Sequence, residues 1–153
     1  MTPSARVQAA IELLDLVIAA TARDGAAADT IIADWFRSRR FAGSKDRRAI
    51  REHVYAAIRR YGEAPESGRA AMLGLLGAES PMFDGAAYGP ALPHEAEGAA
   101  SSTGLAPWLA ALLPDQAALG LDGRAPLDLR VNRLRASRDA ILAALGAGEA
   151  IAG

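Results

Sequence analysis

The sequence predicts an all-α helical bundle over residues 1–120, followed over residues 121–153 by the first strand and helix of an incomplete α+β unit. Three observations carry this. Apolar residues recur at helical spacing through the first half, as in Val7, Ile11, Leu14 and Ile18. Proline and glycine punctuate those segments at Pro3, Gly25 and Gly62. Near Pro126 the period changes from that of a helix to that of a strand, in PLDLRVNRL.

Thr2-Pro3 supplies an N-cap followed by proline at the first helical position, so the first helix is expected over Pro3 to Ala22, with Gly25 breaking it. A second helix over Ala28 to Arg40 puts Ile31, Ile32, Trp35 and Phe36 on one side. It ends on Arg37, Arg39 and Arg40, which complement the negative end of the helix dipole. Ser44 is the expected cap of a third helix that stops at Gly62 and buries Ile50, Val54, Ala57, Ile58 and Tyr61. At 100° per residue its opposite face carries Lys45, Arg48, Glu52 and Arg59, with Tyr55 at the border and Arg47 beside the apolar stripe.

A shorter helix is expected over Ser67 to Leu76, using Met72, Leu73 and Leu76. Residues 77–104 are rich in Gly, Pro, Ala and Ser, and the acids outnumber the bases six to one over residues 63–104. This reads as a long, poorly ordered loop with one helical piece near His94 to Ala100. Pro107-Trp108 opens another helix whose Leu109, Leu112 and Leu113 are available to close the core, with Trp35 and Trp108 as core anchors. Leu127, Leu129 and Val131 then alternate with Asp128, Arg130 and Asn132, after which Ser137 caps a helix through Leu145. One strand cannot make a sheet, so the chain is expected to stop partway through this second unit.

At 153 residues the chain can bury a core without cross-links, and it has no cysteine. That removes disulfides, thiolate metal sites and a cysteine nucleophile. His53 and His94 stand in no metal-ligand spacing, so no metal is expected. No segment reaches the roughly 18 apolar residues of a membrane span and no leader pattern opens the chain, so a cytoplasmic protein without membrane attachment is expected.

Charge is the most informative feature. The net charge is −1, yet nine basic residues lie between Asp34 and Gly62 against three acids. Such a block marks a surface that meets phosphate backbones or an acidic partner, the alternative being a solvated helix face. Only one of the 17 basic residues is lysine, which fits coding bias as well as RNA contact.

Two segments together resemble a known family. SARVQAAIELLDLVIA followed by SKDRRAIREHVYAAIRRYG is similar to the NusB-type RNA-binding domain, whose D-R-x-x-I/F-x-x-x-V-Y-x-x-x-R-x pattern is matched by Asp46, Arg47, Ile50, Val54, Tyr55 and Arg59. RAPLDLRVNRLRASRDAILAAL looks like the junction that follows this domain in bacterial ribosomal RNA cytosine-C5 methyltransferases of the Sun/Fmu (RsmB-like) type, where a P-L-D-L-R-V-N strand opens a ferredoxin-like subdomain. The resemblance implies a NusB-like bundle that recruits RNA, with 16S ribosomal RNA as partner. It also implies S-adenosylmethionine as cofactor of the complete enzyme and none in this chain.

The departures are as informative. The family's catalytic domain carries a glycine-rich cofactor loop and two cysteines, and neither is present. Methylation at C5 needs a thiolate that adds to C6 of cytosine, so the chain is expected to be non-catalytic and truncated before that domain. The stretch from Trp108 to Arg124 is also shorter than the family pattern.

Candidate RNA contacts are therefore Arg6 in the first turn, Arg39, Arg40, Lys45, Arg48 and Arg59 on the second and third helices, and Arg130 on the strand. Arg47 reads instead as a salt bridge or carbonyl clamp. Tyr55 and Tyr61 are candidates either for base stacking or for the core, Tyr61 favouring the core, and His53 reads as a helix-surface residue. A monomer is the simplest assembly. The rival readings are a stand-alone NusB-type antitermination factor, which would lack PLDLRVNRLRAS, and a protein-protein adaptor using the acidic 63–104 segment.

Overall fold

The computed structural model describes residues 1–101, 104–113 and 129–145. Every regular element among them is helical, and the chain divides into two compact units, Met1–Gly123 and Arg124–Gly153.

In the first unit α1 (Pro3–Thr21) is the central element. Its start is fixed as the sequence predicts, with the Thr2 hydroxyl accepting from the Ala5 amide at 3.2 Å. Ser4, Ala5, Val7, Ala9, Ala10, Ile11, Leu13 and Leu14 are all buried, which at 100° per residue covers nearly the whole circumference of the N-terminal half. Three helices share that surface: α2 (Ala28–Ser38), α3 (Ser44–Arg60) and α4 (Gly68–Leu76) each pack on α1, and α3 also packs on α4.

The closest crossing is at Gly68, where a Cβ would run into the Ile11 carbonyl and the Leu14 side chain. The Gly68 amide donates to the Asp15 carboxylate at 2.6 Å. Ser67 caps α4 by accepting from the Ala70 amide at 3.0 Å, and Gly77 ends it at a φ of 82°, which only glycine adopts readily. The core these helices enclose includes Val7, Leu13, Ile32, Phe36, Ile50, Val54, Met72 and Leu73, with Trp35 and Phe36 packed edge to face at 5.1 Å.

Several boundaries differ from expectation. α2 ends at Ser38, so Arg39 and Arg40 lie in the following turn rather than in the last helical turn. Gly43, not Ser44, is the N-cap of α3, and no side chain caps it. Tyr61 is the C-cap. Gly62 is needed there for space: a Cβ would strike the backbone of Gly104, Leu105 and Ala106, which lies against it.

Residues 77–101 form no helix, but they are tied down. Phe83 and Pro90 are buried, the Gly85 amide donates to the Pro90 carbonyl at 3.0 Å, and the Ala100 amide donates to the Ala70 carbonyl at 2.9 Å. Arg69 is the main clasp. Its guanidinium makes a two-pronged pair with Glu97, donates to the Ala91 carbonyl at 3.0 Å and covers the Phe83 ring. The helix expected over 94–100 reduces to a turn, because the Ala100 amide bonds to Ala70 instead of continuing an i−4 ladder.

α5 (Pro107–Ala110) is a single turn, and Trp108 and Leu112 are 69% and 74% exposed, so neither is the core residue the sequence suggested. The segment docks on Gly62 by its backbone at 104–106, which leaves those side chains outside the core.

In the second unit α6 (Arg138–Leu145) starts as expected, the Ser137 hydroxyl accepting from the Ala140 amide at 3.2 Å. The expected strand is not found among the described residues 129–134; a turn closes there instead, the Arg135 and Ala136 amides both donating to the Asn132 carbonyl. Leu134 is 98% exposed. Residues 121–128 and 146–153 of this expected unit lie outside the described residues.

Candidate nucleic-acid interface

The corner between α2 and α3 sorts the basic cluster into tied and unpaired cations. Arg47 is tied: its Nε donates to the Ala42 carbonyl at 2.8 Å, and its guanidinium lies 5.5 Å from the Phe36 ring. It is therefore the carbonyl clamp its place beside the apolar stripe indicates, and it holds the turn that leads into α3. Arg51 stacks over the same Phe36 ring at 5.0 Å.

Arg6 is also engaged. Its Nε donates to Asp46 at 2.9 Å, joining the first turn of α1 to the first turn of α3. This hydrogen bond is the main reason the Asp46 carboxyl is held below its ordinary range. Arg39 lies 4.1 Å over the Trp35 ring and donates to Glu12 at 3.3 Å.

The rest of the predicted set behaves differently. Arg40, Lys45 and Arg48 are exposed and Arg59 half-buried, and among the described residues none has an ion-pair partner. Lys45, Arg48 and Arg59 share one flank of α3, and Arg40 stands in the turn before it. Arg130 is exposed and belongs to the other unit.

The two candidate stacking tyrosines are both committed elsewhere. Tyr61 is buried and its hydroxyl donates to the Ala71 carbonyl at 2.8 Å; burial pushes its phenol up. Tyr55 donates to Asp29 at the start of α2, and that bond raises its pKa. His53 is half-buried rather than a simple surface residue, and desolvation favours its neutral form.

Two aromatic residues the sequence did not single out are more available. Phe41 is 71% and Tyr88 82% exposed, and both border a groove of about 520 Å³ with Trp35, Arg39, Gln8 and Glu12. The available signal was faint: Phe41 falls outside any helical apolar period, and Tyr88 sits in a Gly/Pro/Ala-rich loop. Among the described residues no group of three or more His, Asp or Glu side chains is placed to hold a metal ion, and no helix is long and apolar enough to cross a membrane.

A scan against protein-family models finds no match to this chain, and searches of curated proteins and of solved structures find none either.

Proposed function

We propose that the helical unit binds RNA through the exposed flank of α3 and the turn before it, as the ribosomal RNA-recruiting region of an S-adenosylmethionine-dependent cytosine-C5 methyltransferase. In this reading the four helices form a NusB-like bundle and residues 121–153 belong to a ferredoxin-like subdomain. The observation that carries the RNA assignment is the division of the cations. Arg6, Arg39 and Arg47 are tied to protein groups, while Arg40, Lys45, Arg48 and Arg59 stand without ion-pair partners among the described residues. Unpaired cations on one flank neutralise phosphates and fix the register of an RNA, while base identity is read elsewhere.

Chemistry at a flipped cytosine requires a thiolate and a methyl donor, and this chain has no cysteine to provide the first. Its contribution is therefore recruitment. The adaptor reading is weakened by the acidic segment itself, since Glu97 is engaged by Arg69, and Asp84 accepts from the Ala86 amide at 3.0 Å.

The test is a salt titration of ribosomal RNA binding by wild type and by Arg48→Glu/Arg59→Glu. Removing a single phosphate contact should reduce the slope of log affinity against log salt by nearly one. A folded double variant with unchanged affinity and unchanged slope makes this flank solvated surface.

A further inference from the structure

The groove bordered by Phe41 and Tyr88 is a second feature of the helical unit that the charged flank of α3 does not explain. Its wall is the N-terminal face of α1 (Thr2, Ala5, Gln8, Glu12), and Trp35 and Arg39 line it from the end of α2. At about 520 Å³ it is within the size range of pockets that accept small flat ligands.

Both exposed rings are carried on fixed backbone. Phe41 precedes Ala42, which is buried, whose amide bonds to the Arg39 carbonyl at 3.2 Å and whose carbonyl is held by Arg47 at 2.8 Å. Tyr88 precedes Gly89, where a Cβ would collide with Asp84 and crowd Ser4, and Pro90, which is buried. Large rings held outward on a rigid frame lose little conformational entropy when something covers them.

The charge around the groove selects the occupant. Arg39 and Glu12, the one carboxylate among the described lining residues, are bonded to each other and so leave no net negative charge on the wall, and the exposed Arg40 is next in the chain. A flat, π-faced ligand on an anionic backbone matches this combination. Resting on the RNA-binding reading above, we infer that the Phe41/Tyr88 groove is a base-stacking site for single-stranded RNA. The α3 flank holds phosphates, and the two rings take unpaired bases splayed from that strand.

The experiment uses a single-stranded RNA containing 2-aminopurine, titrated with the full chain. Wild type should bind and quench the probe. Phe41→Leu and Tyr88→Leu, which keep apolar bulk but remove the π face, should each weaken binding roughly 5–150-fold, reduce quenching and leave the salt slope unchanged, and the double variant should abolish quenching. Phe41→Trp keeps a π face and should retain both.

A folded Phe41→Leu/Tyr88→Leu protein that binds and quenches like wild type overturns the stacking site while leaving the phosphate flank standing. Failure of wild type to bind any RNA removes both readings. Sedimentation of wild type as a dimer that the double variant abolishes makes the groove a contact between two copies of the chain and likewise overturns the proposal. The rings are exposed, so the variants should retain wild-type helical circular dichroism. Should the double variant unfold, the comparison of Phe41→Trp with Phe41→Leu decides.

Discussion

The Arg6 guanidinium donates to the Asp46 carboxylate across forty residues of sequence, at 2.9 Å, and so fastens the start of α1 to the start of α3. Asp46 belongs to the basic cluster and Arg6 to the first turn of α1, and the bond turns one apparent ligand contact into a structural one.

This bond makes stability depend on pH. The Asp46 carboxyl titrates lower in the folded protein than the ordinary value of about 3.9, so the folded state binds fewer protons in that window. The pair's contribution is complete above that value and is lost as pH falls through the folded pKa. Asp46→Asn should therefore lower Tm at neutral pH. The gap to wild type should close in strongly acidic buffer, as thermal unfolding across a pH series will measure.

The Arg69 clasp predicts a local effect rather than a global one. Glu97→Gln removes the charge that both guanidinium bonds use, and hydrogen bonds to a charged group contribute about 1.5–3 kcal/mol. The loss should fall on residues 77–101. Amide exchange should speed at Ala100, whose bond to Ala70 lies beside the clasp, while the α1 core keeps wild-type protection.

Gly68→Ala tests the tightest crossing. Alanine gains up to about 1 kcal/mol of helix propensity. Its methyl group, however, meets the Ile11 carbonyl and Leu14, and overpacking of that kind costs about 1–3 kcal/mol. Net destabilisation by urea unfolding is the expected outcome; a more stable variant would show that α1 and α4 separate easily.

The helices and two of their caps were legible because their causes are local. Thr2 and Ser137 each cap an amide three residues downstream, and the stripe of Ile50, Val54 and Ala57 needs only helical periodicity. Arg47 was legible for the same reason, since its helical phase put it beside the core. Features that depend on distant partners were not legible. Trp108 looked like an anchor by composition, but its segment docks through backbone on Gly62. The fixed course of residues 77–101 depends on Arg69, an isolated arginine in sequence. In the candidate site, the helical wheel placed Lys45, Arg48 and Arg59 on one flank. It could not show that Arg6 and Arg39 have acidic partners, or that Phe41 and Tyr88 border one groove.

The central position of α1 has a consequence during synthesis. α1 is made before α4, and Asp15 meets Gly68 only after 53 more residues have been added, an interval of about 3–11 s at translation rates of about 5–20 residues per second. Through that time Ile11 and Leu14 wait for α4, and a nascent chain ending before Ser67 offers them to whatever apolar surface is nearby. The ribosome-bound form, rather than the finished fold, is where this protein is most exposed to chaperone capture and aggregation.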